Sequence, residues 1–358
     1  MEKRQRPIRK HHPIRNIILT LILALLVGGT AYGMHRYQNL KNTVKSAYKP
    51  SGVTKLRNVD EQLKNKKPIS ILLMGTDTGA LGRTFAGRTD SMMVVTINPK
   101  TDKTTITSIP RDTALTIPGY ESYGLSKINA AYAYGKSKTA ITSVQKMLNV
   151  PIDFYAIINM GGMKKIIDEV GGVTLTPTLS FSYGGYTFEK GVKTHMNGKK
   201  ALAYSRMRDD DPQGDYGRQT RQRKVIMALL HKSGSVSTLL NQDFVSSLTK
   251  QTQTDLTFND LTALAKDYLS ATKHIKTTHL QGTGETLDGQ SMEVMTRTEL
   301  QRVTDYIRAG LSLEHKATGT IAQIDSTTGT TSTTSTTSNS SDGSNTDSNN
   351  AGGTGTKE

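Results

Sequence analysis

The sequence predicts a three-layer α/β/α domain built on a central mixed β-sheet, preceded by one N-terminal transmembrane helix. Three observations carry that reading. Short apolar runs alternate with helix-periodic segments from Pro68 to about residue 315, the pattern of a sheet covered by helices. Two runs, Met92–Asn98 and Thr104–Ile109, flank the turn sequence Pro99-Lys100-Thr101-Asp102, so at least one strand pair is an antiparallel hairpin. Near the start lies an unbroken apolar stretch.

That stretch comes first in the chain. Residues 1–16 carry six basic side chains against one acid, Glu2, and residues 17–34 are apolar. Counted from Ile14, the run reaches the roughly 20 residues a helix needs to cross a bilayer. The basic flank would keep the N-terminus cytoplasmic and place the rest outside a cell membrane crossed once. A cleavable signal peptide is the competing reading; Thr30-Ala31-Tyr32-Gly33 offers it a poor cleavage site, and either reading exports the domain.

Residues 35–67 read as a polar, helix-compatible stalk broken at Tyr48-Lys49-Pro50-Ser51-Gly52, and residues 68–315 as the folded domain. The domain opens with a buried strand, Ile69–Gly75; the hairpin follows, then a helix over Ser126–Leu148 and a strand over Phe154–Ile158. Gly161-Gly162-Met163 opens a helix closed by Gly171-Gly172. Helical patterns return at Asn197–Tyr204, Gly217–Lys232, Asp260–Ser270 and Thr298–Leu311. Residues 316–358 are Ser, Thr, Gly and Asn with almost nothing to bury, so they should remain disordered.

Composition narrows the chemistry. There is no cysteine, which removes disulfides, thiol catalysis and zinc–thiolate sites. The net charge of +16 favours polyanionic partners. Export argues against nucleic acid, and no zinc-finger spacing or aromatic-rich strand motif supports it.

Arg, Asp and Gly cluster at four places. Gly75-Thr76-Asp77 ends the first strand, where open α/β sheets bind ligands; Asp77 is either a metal ligand or a turn cap, the commoner use. In Gly87-Arg88-Thr89-Asp90-Ser91, Arg88 and Asp90 share a face if extended, as an ion pair or as an oxyanion clamp beside a Mg²⁺ ligand. Ile109-Pro110-Arg111-Asp112 puts an arginine at another strand end, its approach stiffened by proline. The densest segment runs from Tyr204 to Arg223. There Arg206 and Arg208 share a face if extended, Arg218 and Gln222 share a helix face, and Asp209–Asp211 could neutralise neighbouring arginines. A helix start near Gly217 adds free N–H groups, and arginine suits phosphate because its fork donates two parallel hydrogen bonds. Lys127 is a plausible surface lysine that could add a cation. Many cations, two candidate metal carboxylates and no evident covalent nucleophile make the inventory of a phosphoryl-transfer site.

At these residues the chain resembles the LytR-CpsA-Psr family of cell-wall glycopolymer ligases. The likeness runs from about Ile69 to Ile226: GTD (75–77), GRTDS (87–91), IPRD (109–112), KINAAYAYG (127–135), DFYAIINMGG (153–162), EVGGV (169–173) and RMRDDDPQGDYGRQTRQR (206–223). The resemblance implies an apolar pocket for a polyprenyl chain with a pyrophosphate at its mouth. It implies that Asp77 and Asp90 hold Mg²⁺, with Mn²⁺ as a substitute. Arg88, Arg111, Lys127, Arg206, Arg208, Arg218 and Gln222 would contact phosphate, with Arg88, Asp90 and Arg111 closest to the chemistry. The implied reaction moves a glycopolymer, such as wall teichoic acid or capsular polysaccharide, from undecaprenyl pyrophosphate to peptidoglycan and releases undecaprenyl phosphate. A lipid-pyrophosphate hydrolase and a non-catalytic regulator or wall-binding protein are the alternatives.

Overall fold

The computed structural model describes residues 35–76, 87–208, 210–233 and 242–322. The basic segment 1–16, the expected membrane helix 17–34, Asp77, Asp209 and the tail from residue 323 lie outside the described residues. Among the described residues no helix is long and apolar enough to cross a membrane.

The strands are β1 (Ile69–Thr76), β2 (Ser91–Asn98), β3 (Lys103–Ile109), β4 (Ala114–Thr116), β5 (Leu125–Lys127), β6 (Phe154–Asn159) and β7 (Val173–Leu175). They continue with β8 (Phe181–Tyr183), β9 (Tyr186–Phe188), β10 (Thr194–Met196), β11 (Thr252–Thr254), β12 (His274–His279), β13 (Thr283–Leu287) and β14 (Gln290–Val294). The helices are α1 (35–47), α2 (Val59–Lys64), α3 (Ala130–Leu148), α4 (Met160–Glu169), α5 (Gly198–Arg206), α6 (Asp215–Ser233), α7 (Gln242–Gln251), α8 (Phe258–Asp267) and α9 (Arg297–Gly310).

Six strands form the central sheet in the order β11-β6-β1-β2-β3-β12. The β1–β6 and β3–β12 pairs are parallel, and β1–β2, β2–β3 and β6–β11 are antiparallel. The mixed sheet follows from its connections. β2 and β3 are joined by the short turn, with Asp102 at φ 51°, whereas β1 and β6 lie side by side with residues 77–153 between them.

Alternation along the strands separates two faces. Leu72, Met74, Met92 and Val94 point to one side and are sealed under α3 and α9, with Ile141, Val144, Leu300 and Val303 in the same core. Ile71, Leu73, Met93, Val95 and Ile106 point to the other side, where Ile226 and Met227 of α6 meet them. There Ile71, Leu73, Ile226 and Met227 are only half-buried.

The ends of the domain are longer than the sequence reading drew them. α1 buries Leu40 and Val44 against Ile166 and Val245, and Lys49 N donates to Thr254 O at 2.7 Å, so residues 35–67 are fastened to the domain. At the other end the chain stays packed past residue 315: Thr318 is buried, Ala322 is fully buried, and Thr116 N donates to Ile321 O at 3.0 Å. One Ile–Ala pair in a polar stretch gives too little periodicity to signal that contact. The expected helix over Ser126–Leu148 begins only at Ala130, because Leu125–Lys127 pairs as a strand with Ala114–Thr116.

Candidate functional site

The site lies at the sheet edge where β1 and β3 end and β2 begins. Backbone hydrogen bonds gather four sequence segments there. Asp90 N donates to Gly75 O at 2.8 Å, Thr89 N to Asn129 O at 3.3 Å, Asn129 N to Arg111 O at 3.1 Å, and Ile128 N to Thr113 O at 2.8 Å. Glycine at position 75 gives Ser91 Oγ room, since a Cβ would stand 2.4 Å from it and would turn that hydroxyl away. The GRTDS, IPRD and KINA segments are therefore one structure, and their charged side chains are held by the main chain.

Arg111 Nη1 donates to Asp90 Oδ1 at 2.9 Å and lies near Asp112, with Nε 3.6 Å from Oδ2. Lys127 Nζ pairs with Asp112 Oδ1 at 3.0 Å. The second side of the site is the first turns of α6. Arg218 pairs with Asp215, whose other oxygen accepts from Gln219 Nε2 at 2.8 Å. The two sides converge. Burial opposes it, but Asp112, Asp215 and Asp90 together raise Arg111 above the usual guanidinium value. Arg218 is lowered by burial, and the like charges of Arg111 and Arg208 add to that.

These guanidinium groups are buried without being fully matched. Arg218 is 9% exposed, yet among the described residues its Nε and Nη2 make no aligned hydrogen bond, and neither does Nε of Arg111 nor Oε1 of Gln222. The Arg218–Asp215 contact is close but poorly aligned. Buried donors are nearly always satisfied in folded proteins, so this set has donor capacity left over among the described residues. An oxyanion with several acceptor oxygens fits that demand.

The predicted residues fare differently. Asp90, Arg111, Lys127, Arg218 and Gln222 are brought to one place. Arg88 is exposed, with no hydrogen-bond or ion-pair partner among the described residues. Arg206 does not share an extended face with Arg208. It is the last residue of α5, capped at its start by Asn197 Oδ1 accepting from Lys200 N, and the helix continues through it. Arg206 is half-buried and Arg208 exposed. Asp211 serves structure, as it pairs with Arg221 and accepts from Gln213 N at 2.8 Å.

Of the two predicted metal carboxylates, only Asp90 lies among the described residues. Asp90 is half-buried with one oxygen committed to Arg111, and among the described residues no group of three or more His, Asp or Glu could hold a metal ion. That donor set fits a Mg²⁺ of the kind completed by water and phosphate oxygens, not a closed protein cage.

Three residues escaped the sequence reading. Tyr216 donates to Glu293 Oε2 at 3.0 Å and accepts from Gly282 N at 2.8 Å. Burial raises the Tyr216 phenol well above its ordinary value and pushes the Glu293 carboxyl up, with Asp215 and Asp112 adding to that. Arg223 hydrogen-bonds Ser108 Oγ at 2.9 Å on the half-open sheet face, and burial lowers it to about 10. Tyr216 and Arg223 lie inside the dense motif, which was their signal; Glu293 sits in a polar hairpin with none.

The fold is shared with known proteins. The LytR_cpsA_psr family model matches residues 32–309. The polyisoprenyl-teichoic acid–peptidoglycan teichoic acid transferase TagU of Enterococcus faecalis is 40% identical, over 83% of this chain and 96% of its own length. Protein gbs0355 of Streptococcus agalactiae superposes with a TM-score of 0.65 at 36% identity, covering 76% of this chain and 96% of that one. A structure described as TagT bound to LIIa-WTA superposes at 0.60 with 26% identity, over 73% of this chain and 98% of that one.

Proposed function

Because this chain belongs to the LytR-CpsA-Psr family, whose similar member in Enterococcus faecalis is named a teichoic acid transferase, we propose that it transfers a glycopolymer to peptidoglycan. In this reading the donor is a polyprenyl-pyrophosphate-linked glycopolymer, and the leaving group is the polyprenyl phosphate. The observation that carries it is the set of guanidinium donors, Arg111 Nε with Arg218 Nε and Nη2, that make no aligned hydrogen bond among the described residues.

The chemistry follows from charge and position. An acceptor hydroxyl on peptidoglycan attacks the glycan-side phosphorus, a new P–O bond forms, and the bond to the bridging oxygen breaks toward the lipid phosphate. Arg111 and Arg218 stabilise the charge that accumulates on that leaving phosphate, and Lys127 supports Arg111 through Asp112. The hydroxyl proton departs to Asp90, Asp215 or solvent. A Mg²⁺ held by Asp90 and Asp77 would supply further neutralisation of the pyrophosphate. Ile71, Leu73, Ile226 and Met227, half-buried on the sheet face that α6 meets, supply an apolar surface suited to the prenyl chain. The N-terminal apolar segment would hold the domain at the outer face of the membrane, where such a lipid is presented.

The test is full-length protein in detergent with Mg²⁺, a lipid-pyrophosphate-linked glycan and a peptidoglycan acceptor. A glycan–peptidoglycan conjugate and free lipid phosphate are expected. Phosphorylated glycan released to water in place of the conjugate would overturn transfer in favour of hydrolysis, and binding without turnover would point to a regulator.

A further inference from the structure

The cations of the site come from two bodies, the strand ends and α6. Arg111 and Lys127 stand at the ends of β3 and β5, while Arg218 and Gln222 ride on α6. Resting on the transfer reading above, we propose that Tyr216 and Glu293 form a clasp between these bodies, which makes Glu293 a positioning residue for phosphoryl transfer.

Glu293 reaches both sides at once. Its backbone N donates to Asp112 O at 2.8 Å, and Thr113 forms a β-bridge with it, so β14 is tied to the segment carrying Arg111. Its carboxylate accepts the Tyr216 hydroxyl at 3.0 Å. Tyr216 lies in the first turn of α6, next to Asp215 and two residues before Arg218. The polarity of the link is fixed. Gly282 N donates to the Tyr216 oxygen at 2.8 Å, which leaves the single phenol proton for Glu293. Gly282 can approach because a Cβ there would stand 2.6 Å from Val294 O. From Glu293 the path continues through Asp112 to Lys127 at 3.0 Å. A shift between the two halves of about 1 Å suffices to cost a transfer site on the order of 100-fold, and this link spans the joint where such a shift would occur.

The hydrogen bond, not the charge, is what the clasp requires. Full-length Tyr216→Phe, Glu293→Ala and Glu293→Gln in detergent are compared in turnover of the lipid-linked glycan, in binding of inorganic pyrophosphate with Mg²⁺ by calorimetry, and in Tm. Tyr216→Phe and Glu293→Ala should each lower kcat by about tenfold to 100-fold and weaken pyrophosphate binding, and the double variant should be no slower than the worse single one. Glu293→Gln, whose amide oxygen still accepts from Tyr216, should stay within about threefold of wild type. A Glu293→Gln as slow as Glu293→Ala would overturn the clasp in favour of a role for the charge. So would Tyr216→Phe and Glu293→Ala that match wild type per folded molecule. If the wild type binds pyrophosphate without turning over the lipid-linked glycan, and the same two variants weaken that binding, the transfer reading falls and the clasp stands.

Discussion

The two ends of the central sheet each hold an arginine–aspartate cluster, and they resolve buried charge in opposite ways. Where β1 and β6 begin, Asp153 is 1% exposed and every contact it needs is supplied. Arg57 Nε donates to it at 2.7 Å, Ser70 N at 2.7 Å and Ser70 Oγ at 3.1 Å, while Arg57 also donates to Pro68 O at 3.0 Å. Where β1 and β3 end, Arg218 is nearly as buried yet keeps unmatched donors. A saturated ion cluster has no capacity left for a ligand; an unsaturated one keeps its desolvation penalty until a ligand arrives. On the proposed function, the first serves folding and the second binding.

The largest expected effect breaks the closed end. Asp153→Ala strands Arg57 without its counter-charge and should cost about 3–5 kcal/mol of stability, read as a lower urea midpoint, while turnover per folded molecule holds. Arg218→Ala at the open end should do the reverse. Losing one donor to a developing oxyanion costs about 100- to 1000-fold in kcat, and Tm should hold or rise, because the group removed was buried without full compensation. A Tm drop in Arg218→Ala equal to that of Asp153→Ala would erase the distinction between the ends.

Ligand linkage sharpens the same contrast. Inorganic pyrophosphate with Mg²⁺ at 100 times its Kd should stabilise the wild type by about 2.7 kcal/mol. Arg218→Ala should lose most of that gain, and a variant at the far end such as Lys55→Ala should keep it. Equal loss in both would mean that pyrophosphate is drawn by net charge and not by the open cluster.

What the sequence made legible follows the same division. The strands that frame the site are apolar runs, and the turn between β2 and β3 announces their pairing. The charged residues at the strand ends were legible because Arg111 and Asp90 stand within two residues of those runs. Arg206 was misplaced because two arginines separated by one residue fit an extended segment as well as a helix end, and the Asn197 cap decides between them from nine residues away. Glu293 was invisible. β13 and β14 are largely exposed or half-buried, so no apolar periodicity marks them, and the partner that gives Glu293 meaning is 77 residues distant. Asp90 illustrates the middle case: its type and neighbours were readable, but its pairing with Arg111 came only from the fold.

Glu293 also yields the smallest expected effect, one that tests whether the clasp behaves as structure or as charge. Burial, with Asp215 and Asp112 nearby, raises its carboxyl in the folded state, so the folded protein holds that proton more tightly than the unfolded chain. Stability from this group is therefore full below the ordinary carboxylate value and declines as pH rises through the raised one. Glutamine cannot ionise and escapes that decline. Glu293→Gln should accordingly show a slightly higher Tm than wild type at pH 7.5, and the gap should close as pH falls toward 4. A gap that is constant with pH would mean that the carboxyl titrates alike in both states. A Tm below wild type at pH 7.5 would mean that the negative charge supports Arg111 and Lys127 across Asp112 more than its burial costs, and the joint between sheet and helix would then be electrostatic.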